Sequence, residues 1–360
     1  MAKIKVGIVG TGGMANTHAK SYAKIKDADL NVCFDLDTGR AEEFARQHQV
    51  THCASSMEEL IDRSDAVSVV TPDAHHAAIS LQVLKSGKHL LCEKPLTSNL
   101  ADARRVARAA KGATRNSTSV HMINFSYRDS SAVQEAIKMV ERGDLGEIRH
   151  VHGGYLQSWL AADGWGHWQQ PSFLWRLQTA KGSAGVLGDL GCHLLDLVTV
   201  VAGDIDALDC TLATFPKLDK RGRRRTKIGK AVLDANDSAM MRLHFANGAQ
   251  GLCHTTRWAT GHKNSVNLSV HGTTGALRID LEAGYDKLFL CLGADRHRQK
   301  WRTKTIRSTP NIYQRFIRSI QTGRLDQPDV IRGAQVQSYL DACERSAQRG
   351  GGKTPIKPWF

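Results

Sequence analysis

A glycine-rich turn between a strand and a helix limits this chain to few architectures. Residues 4–9 form a short apolar run, Ile4-Lys5-Val6-Gly7-Ile8-Val9, which leads straight into Gly10-Thr11-Gly12-Gly13-Met14-Ala15. A helix is predicted over residues 14–25. In a Gly-x-Gly-x-x-Ala pattern the first glycine allows a tight turn and the second lets a diphosphate approach the backbone. The alanine lets the helix pack closely on the strand. Gly12, Gly13 and Met14 then open a helix whose free N–H groups and positive dipole end suit an anion. The next predicted strand, 30–34, ends in Asp35, twenty residues after Ala15. That is the spacing of the acid that binds the adenosine ribose of a dinucleotide. Asp37 is the other acid nearby, and it is better placed to cap a helix over 39–48.

The alternation continues. A buried strand over 66–70 ends at Thr71-Pro72-Asp73, and His76 opens a helix that runs to residue 85. A strand over 87–92 ends at Glu93-Lys94-Pro95. A helix over 99–111 and a strand over 117–123 follow. Strands separated by helices of this length mean a parallel sheet covered on both faces. The carboxyl ends of such strands face the ligand crevice. Thr71, Pro72, His76, Glu93 and Lys94 are therefore expected to line one crevice. Pro95 stops its strand and keeps Lys94 extended, so that the ammonium can approach a bound cofactor and a substrate oxygen. The first domain is expected over 1–122 and the second over 123–360.

The second half reads differently. A helix is predicted over 131–141 and a strand over 148–158. Residues 155–175 hold Trp159, Trp165, Trp168 and Trp175, four of the seven tryptophans, broken up by Gly164, Gly166 and Pro171. They either pack a satellite core or form an aromatic wall for a ligand ring. An apolar helix over 185–201 carries Asp189, His193 and Asp196 on one face, at offsets of four and seven. Polar groups on an apolar helix need partners. A satisfied cluster, a metal site, and a base with its orienting acid all fit. Strands follow over 208–215, 239–245, 249–257, 265–270, 276–281 and 287–291, with a hairpin signal at Asn247-Gly248. Helices over 310–321 and 330–349 complete the chain, and Gly350-Gly351-Gly352 suggests a frayed tail. The pattern predicts an α+β domain with a large, mostly antiparallel open sheet.

Composition narrows the function classes. The 360 residues suffice for two domains, and 41% are hydrophobic,. No stretch reaches the roughly 18 apolar residues of a membrane helix, and the first residues lack a signal-peptide pattern. Eight cysteines are scattered without a Cys-x-x-Cys pair. That suits buried thiols in a reducing cytoplasm rather than disulfides or zinc. The formal net charge is +14, and seven of the eleven residues 220–230 are basic. No aromatic residue and no DNA-binding motif accompanies them, so a solvated loop is expected, with no nucleic-acid partner and no membrane partner.

The order Gly-x-Gly-x-x-Ala, Asp35, Thr71-Pro72-x-x-x-His76 and Glu93-Lys94-Pro95 resembles the Gfo/Idh/MocA family. The likeness continues through Phe125-Ser126-Tyr127-Arg128, Gly146-Glu147-Ile148, Trp175-Arg176 and Asp189-Leu190-Gly191-Cys192-His193. It implies an α/β chain: an N-terminal Rossmann unit, doubly wound, and a C-terminal domain whose sheet makes a homodimer or homotetramer. It implies a nicotinamide-dependent oxidoreductase acting on a cyclic sugar or polyol such as an inositol, an anhydro-sugar or a glycoside. Lys94 would hold the reacting oxygen and His193 would take its proton, with Asp189 behind it. Tyr127, Arg128, His167, Trp175 and Arg176 are candidates for further substrate contacts. No metal is expected. Relatives that cleave glycosides through transient oxidation would use the same residues. Non-catalytic sensors tend to lose the lysine or the histidine, and both are present here. NAD is expected over NADP, because Asp35 would meet a 2′-phosphate with like charge. Arg40, within the first turn of the next helix, is expected to face solvent.

Overall fold

The computed structural model describes residues 2–116 and 119–360. The chain divides into two compact units. The first unit holds the residues up to Ser126, then Pro310–Gln337 and the last two residues. Its six strands are β1 (Ile4–Val9), β2 (Ala28–Phe34), β3 (His52–Cys53), β4 (Ala66–Val69), β5 (His89–Cys92) and β6 (His121–Ile123). Every pairing is parallel, in the order β3-β2-β1-β4-β5-β6. The order reverses between β1 and β4, which is where such sheets bind ligands. Five helices lie between the strands: α1 (Gly13–Tyr22), α2 (Thr38–His48), α3 (Met57–Asp62), α4 (Asp73–Lys85) and α5 (Leu100–Asn116).

Sequence pattern and structure differ here in instructive places. Helix α4 opens at Asp73, directly after Pro72, so His76 sits within its first turn and does not start it. The two-residue β3 and the six-residue α3 are too short to show a period. The first residues of the predicted strand 117–123, Ser117 and Thr118, lie outside the described residues. The domain boundary falls at 126/127, not 122/123, and residues 310–337 return to the first unit. The reason is side-chain packing. Ile312, Tyr313, Phe316 and Ile317, on the helix Ile312–Thr322, share a buried cluster with Val6, Tyr22, Leu91 and Met122.

The second unit, 127–309 with 338–358, is built on nine strands. Ile148–Leu156 lies near the middle, parallel to Gln250–Thr256 and antiparallel to Ser265–Gly272. The remaining pairings are antiparallel. Burial alternates strictly along Ser238–Phe245 and Gln250–Thr256, so one face is covered and the other is open,. On the covered face, a Cβ at Gly153 would lie 3.1 Å from Leu194 and 3.3 Å from Val198. This close approach seats the helix Cys192–Ala202 on the sheet. The predicted helix 185–201 is in fact two pieces, a π turn over Leu187–Gly191 and then that α-helix.

The tail is not frayed. Gly351 N–H donates to the Ser346 carbonyl, and Thr354–Pro355 adds a strand beside Ile205–Ala213. The basic run lies on two small hairpins, with Arg223 and Arg225 both bonded to Asp219. Two of the four clustered tryptophans, Trp159 and Trp168, pack a satellite core with Leu160, Leu177 and Leu233.

Candidate active site

In the first unit the turn after β1 is shaped for close approach. Gly10 has φ +87, and a Cβ there would stand 2.8 Å from the Val70 carbonyl oxygen. Beyond Gly12 and Gly13 the space is open. Helix α1 begins with no side-chain cap and no acid in its first turn, which leaves its amide donors and positive end to an anion. Thr71, close in space to Gly10, has its Oγ1 buried without a hydrogen-bond partner among the described residues. Open glycines, an uncapped helix start and an orphaned hydroxyl fit a dinucleotide at this sheet edge.

Asp35 stands at the end of β2 and is heavily hydrogen-bonded. It accepts from Thr11 N–H (2.7 Å), Thr11 Oγ1 (3.0 Å) and Asp37 N–H (3.0 Å). Arg40 does not simply face solvent. Its guanidinium closes on both carboxylate oxygens, at 3.2 and 2.6 Å, because the first turn of α2 points it back along the strand. Partial burial opposes ionisation, but the bonds from Arg40, Thr11 and Asp37 outweigh it and lower the Asp35 pKa to about 2,. Asp37 caps α2 as expected, accepting from Arg40 N–H at 3.1 Å.

Glu93 is buried in a network invisible to pattern reading. One oxygen accepts from His18 (2.9 Å) and from Asn124 Nδ2 (2.5 Å), and Asn124 also donates to Tyr313 Oη (3.1 Å). The other oxygen accepts the backbone N–H of Lys94 at 3.1 Å. Burial works against the Glu93 charge, but His18, Lys94 and Asn124 lower its pKa to about 2. The carboxylate thus holds the lysine's backbone, while Lys94 itself is half-buried. His76 is buried rather than offered to a ligand. Its ring nitrogens lie 2.8 Å from the Pro95 and Thr71 carbonyl oxygens.

In the second unit His193 is enclosed by aromatic rings. The Tyr127 ring stands edge-on to it at 4.7 Å, and Tyr155 lies at 6.3 Å. Tyr127 and Tyr155 hydroxyls are 2.6 Å apart. Tyr155 donates to Asn264 Oδ1 (2.9 Å), and Asn264 Nδ2 donates to Tyr127 Oη (2.8 Å). Gln157 Nε2 donates to Asn264 (2.8 Å), and Trp159 Nε1 donates to Gln157 (3.1 Å). Burial, then Tyr127, pushes the Tyr155 hydroxyl well above its usual pKa, so it stays protonated. Asp189, on the π turn, receives Arg257 Nη2 at 3.0 Å.

Pattern reading singled out Trp159 in its aromatic segment but missed its grouping with Tyr155, Gln157, Asn264 and Arg257. A faint signal existed: residues 155, 157 and 159 alternate off the end of one strand, the period that puts side chains on one face. Among the predicted substrate residues, Arg128 is committed elsewhere. Its Nε and Nη2 donate to the two carboxylate oxygens of Asp196, at 2.7 and 2.6 Å, and the pair is buried. It ties the turn bearing Tyr127 to the helix bearing His193. His167 is buried, stacks on Trp168 and accepts from Gln169 N–H. Trp175 and Arg176 are half-buried and stack on each other at 4.7 Å. Arg176 meets Arg257 through its backbone carbonyl. No group of three or more metal-ligating side chains clusters among the described residues.

Residues 4–121 match the family described as "Oxidoreductase family, NAD-binding Rossmann fold", and residues 133–278 match the "GFO/IDH/MocA C-terminal domain". The chain belongs to the Gfo/Idh/MocA family. This Gfo/Idh/MocA member is an oxidoreductase, and its Rossmann unit binds NAD. Levoglucosan dehydrogenase of Pseudarthrobacter phenanthrenivorans is 31% identical to it over 314 residues, 82% of this chain and 78% of that protein. Glucose-6-phosphate 3-dehydrogenase of Bacillus subtilis is 32% identical over 195 residues, 54% of this chain and 52% of that one. A structure of levoglucosan dehydrogenase in complex with NADH and levoglucosan superimposes with a TM-score of 0.85 at 27% identity. It covers 99% of this chain and 100% of the other. An oxidoreductase domain protein from Kribbella flavida gives 0.87 at 28% identity, with the same coverage.

Proposed function

We propose that this family member oxidises a secondary hydroxyl of a neutral cyclic sugar, with an anhydro-sugar of the levoglucosan type as the first candidate. The carrying observation is the hydrogen-bonded chain Tyr127–Tyr155–Asn264–Gln157–Trp159 beside His193. Such hydroxyl and amide groups, set among aromatic rings, suit a ring with several hydroxyls and an apolar face. A sugar phosphate suits the group less well, because the Arg128 and Arg257 guanidiniums are bound to Asp196 and Asp189. The relationship to levoglucosan dehydrogenase supports the same choice.

In this reading Gly10, Gly12, Gly13, Met14, Asp35, Thr71 and Pro72 hold NAD, which when bound supplies the hydride acceptor. Lys94 donates a hydrogen bond to the reacting oxygen and favours its developing negative charge. Glu93 keeps the Lys94 backbone in place, and His76 pins the loops on either side. His193 accepts the hydroxyl proton, and Asp189 orients the imidazole and balances its charge. Trp159 anchors the end of the polar chain through Gln157, with His167, Trp175 and Arg176 left for outer contacts.

The open face of the nine-stranded sheet exposes Met240 (63%) and Leu252 (52%). It is proposed to pair with a second copy, as a homodimer or a homotetramer. Eight free thiols, seven of them buried, favour a reducing compartment, and the cytoplasm is the proposed location,. Among the described residues no helix is long and apolar enough to cross a membrane.

The test is NAD reduction by a panel of levoglucosan, inositols, glucose 6-phosphate, free hexoses and glycosides. The highest kcat/KM is expected with the anhydro-sugar and stoichiometric NADH. Preference for the phosphate would reject the neutral-ring reading. Glycoside cleavage with only catalytic NAD would replace dehydrogenation by transient oxidation.

A further inference from the structure

Arg257 is a cation in an unusual place. Its side chain is fully buried, at the end of the strand Gln250–Thr256. Nη2 donates to Asp189 Oδ2 (3.0 Å) and to the Gly185 carbonyl (3.3 Å), and Nη1 donates to the Arg176 carbonyl (3.3 Å). The guanidinium also lies over the Trp159 ring, 5.0 Å from its centroid. One side chain therefore touches the π turn, the loop before it and the indole at the end of the Tyr127–Trp159 chain.

Behind it lies a second buried ion pair. Lys217 Nζ and Asp237 Oδ2 are 2.7 Å apart, and neither side chain is exposed. Arg257 N–H donates to the Asp237 carbonyl at 3.0 Å, which places the two pairs back to back. Asp237 Oδ1 and Arg257 Nε have no partner among the described residues. The charged groups around the guanidinium are Asp189, Asp237, Lys217 and Arg176. Burial lowers the Arg257 pKa from its ordinary value, and Asp189 opposes that shift. Burying an ion pair is weak grounds for stability, since desolvation offsets much of the attraction. Here one partner, Asp189, keeps 31% of its side chain exposed while Arg257 keeps none. The arrangement aims a carboxylate outward from a rigid, buried anchor.

We propose that Arg257 is a positioning residue for the dehydrogenation: it fixes the Asp189 carboxylate that serves His193 and braces the Trp159 indole. The inference rests on the reading of Asp189 and His193 given above. Asn or Gln at this place would keep a hydrogen bond but lose the cation. Lysine would keep the cation but lose the planar fork and most of the stacking on the indole.

The experiment compares Arg257→Gln, Arg257→Lys and Asp189→Asn with the wild type. It measures kcat and KM for the sugar across pH, and NADH affinity by fluorescence. Both Arg257 variants are expected to bind NADH as the wild type does and to lose about tenfold to a hundredfold in kcat, the range for an outer partner that orients a reacting group. In Arg257→Gln the acid limb of the kcat/KM profile should move to higher pH, because a carboxylate without its cation holds its proton longer. In Arg257→Lys the limb should return toward that of the wild type. Combining Arg257→Gln with Asp189→Asn should add little to the loss from Asp189→Asn alone. The proposal is overturned by wild-type kinetics in both Arg257 variants, or by additive losses in the double variant. Loss of NADH binding and folding in both variants also overturns it, since that marks a purely structural residue. A wild-type rate in Asp189→Asn would sink the reading of the site itself. An impaired Asp189→Asn beside unimpaired Arg257 variants would sink this inference alone.

Discussion

Lys94 owes its placement to its neighbours, since Glu93 bonds its N–H and is itself gripped by His18 and Asn124. Removing the ammonium leaves that scaffold intact. Lys94→Ala should therefore lower kcat/KM by about a hundredfold or more, the scale for losing a donor to a developing alkoxide. NADH titration of the same variant should give near wild-type affinity. At the ribose end, Arg40 changes the electrostatic argument for Asp35, because the carboxylate is already paired. Asp35→Ser should admit NADP and shrink the NAD preference. Arg40→Ala should instead lower kcat/KM for NADP more than for NAD, since it strips the cation that a 2′-phosphate would meet. The ratio of kcat/KM for the two cofactors in each variant decides both. His76 gives a pH prediction. Both of its ring nitrogens lie 2.8 Å from carbonyl oxygens, which only accept, an arrangement that favours the doubly protonated ring,. Burial opposes that charge, but Cys92, Asp73 and the Pro95 carbonyl raise the pKa to about 10. A pKa raised on folding stabilises fully below the unfolded value near 6.5 and loses that stability as pH rises through about 10. Between pH 7 and 10 the wild-type melting temperature should fall by several degrees more than that of His76→Phe, as followed by scanning calorimetry.

At the scale of elements, most of the long ones were legible. The helix Ser131–Glu141 and the strands Ser238–Phe245 and Lys287–Leu292 fall within a residue of expectation, because their apolar periods run unbroken. The π turn Leu187–Gly191 was not legible. Its Gly188 and Gly191 look like any other helical interruption, yet a wider turn carries Asp189. Such turns recur at functional sites. The basic run 220–230 shows why an element must be divided by burial. Its tip is mostly exposed, with Arg223 and Arg225 held by Asp219 and Ile228 packed on the Trp159–Trp168 cluster, whereas its root, Lys217 with Asp237, is wholly buried. Replacing residues 220–230 by a short Gly-Ser loop should leave kcat within about twofold, as expected for surface changes away from buried features. A large loss of kcat, or salt-dependent DNA binding by the unaltered protein that the replacement abolishes, would give the tip a task.

At the scale of the whole molecule, the open sheet face exposes apolar side chains that nothing in the chain covers among the described residues. The strand Ser238–Phe245 turns Met240, Arg242 and His244 outward, and Gln250–Thr256 turns Leu252 and His254 outward. Arg242 and His244 both bond Asp209 on the neighbouring strand, so much of the charge there is already neutralised. A face of this kind suits association with a copy of itself. Met240→Arg with Leu252→Arg should halve the mass, or more, in light scattering at micromolar concentration. An unchanged mass would place the interface elsewhere or leave the wild type monomeric.

Local chemistry by itself determined the Rossmann half. A tight Gly turn, an acid at a set distance and alternating apolar runs act over fewer than forty residues, and each is a backbone or burial requirement that the residues state directly. Tertiary structure alone decided which charges are free. Arg128 and Arg176 look equally ready to grip a hydroxyl in the sequence, yet one is locked to a carboxylate 68 residues away. It also decided that residues 310–337 return to the first unit, and that Asn264 and Arg257 meet Tyr155 and Asp189. Those outcomes depend on long-range pairing and on the need to satisfy buried polar groups. Neither leaves a period or a spacing along the chain.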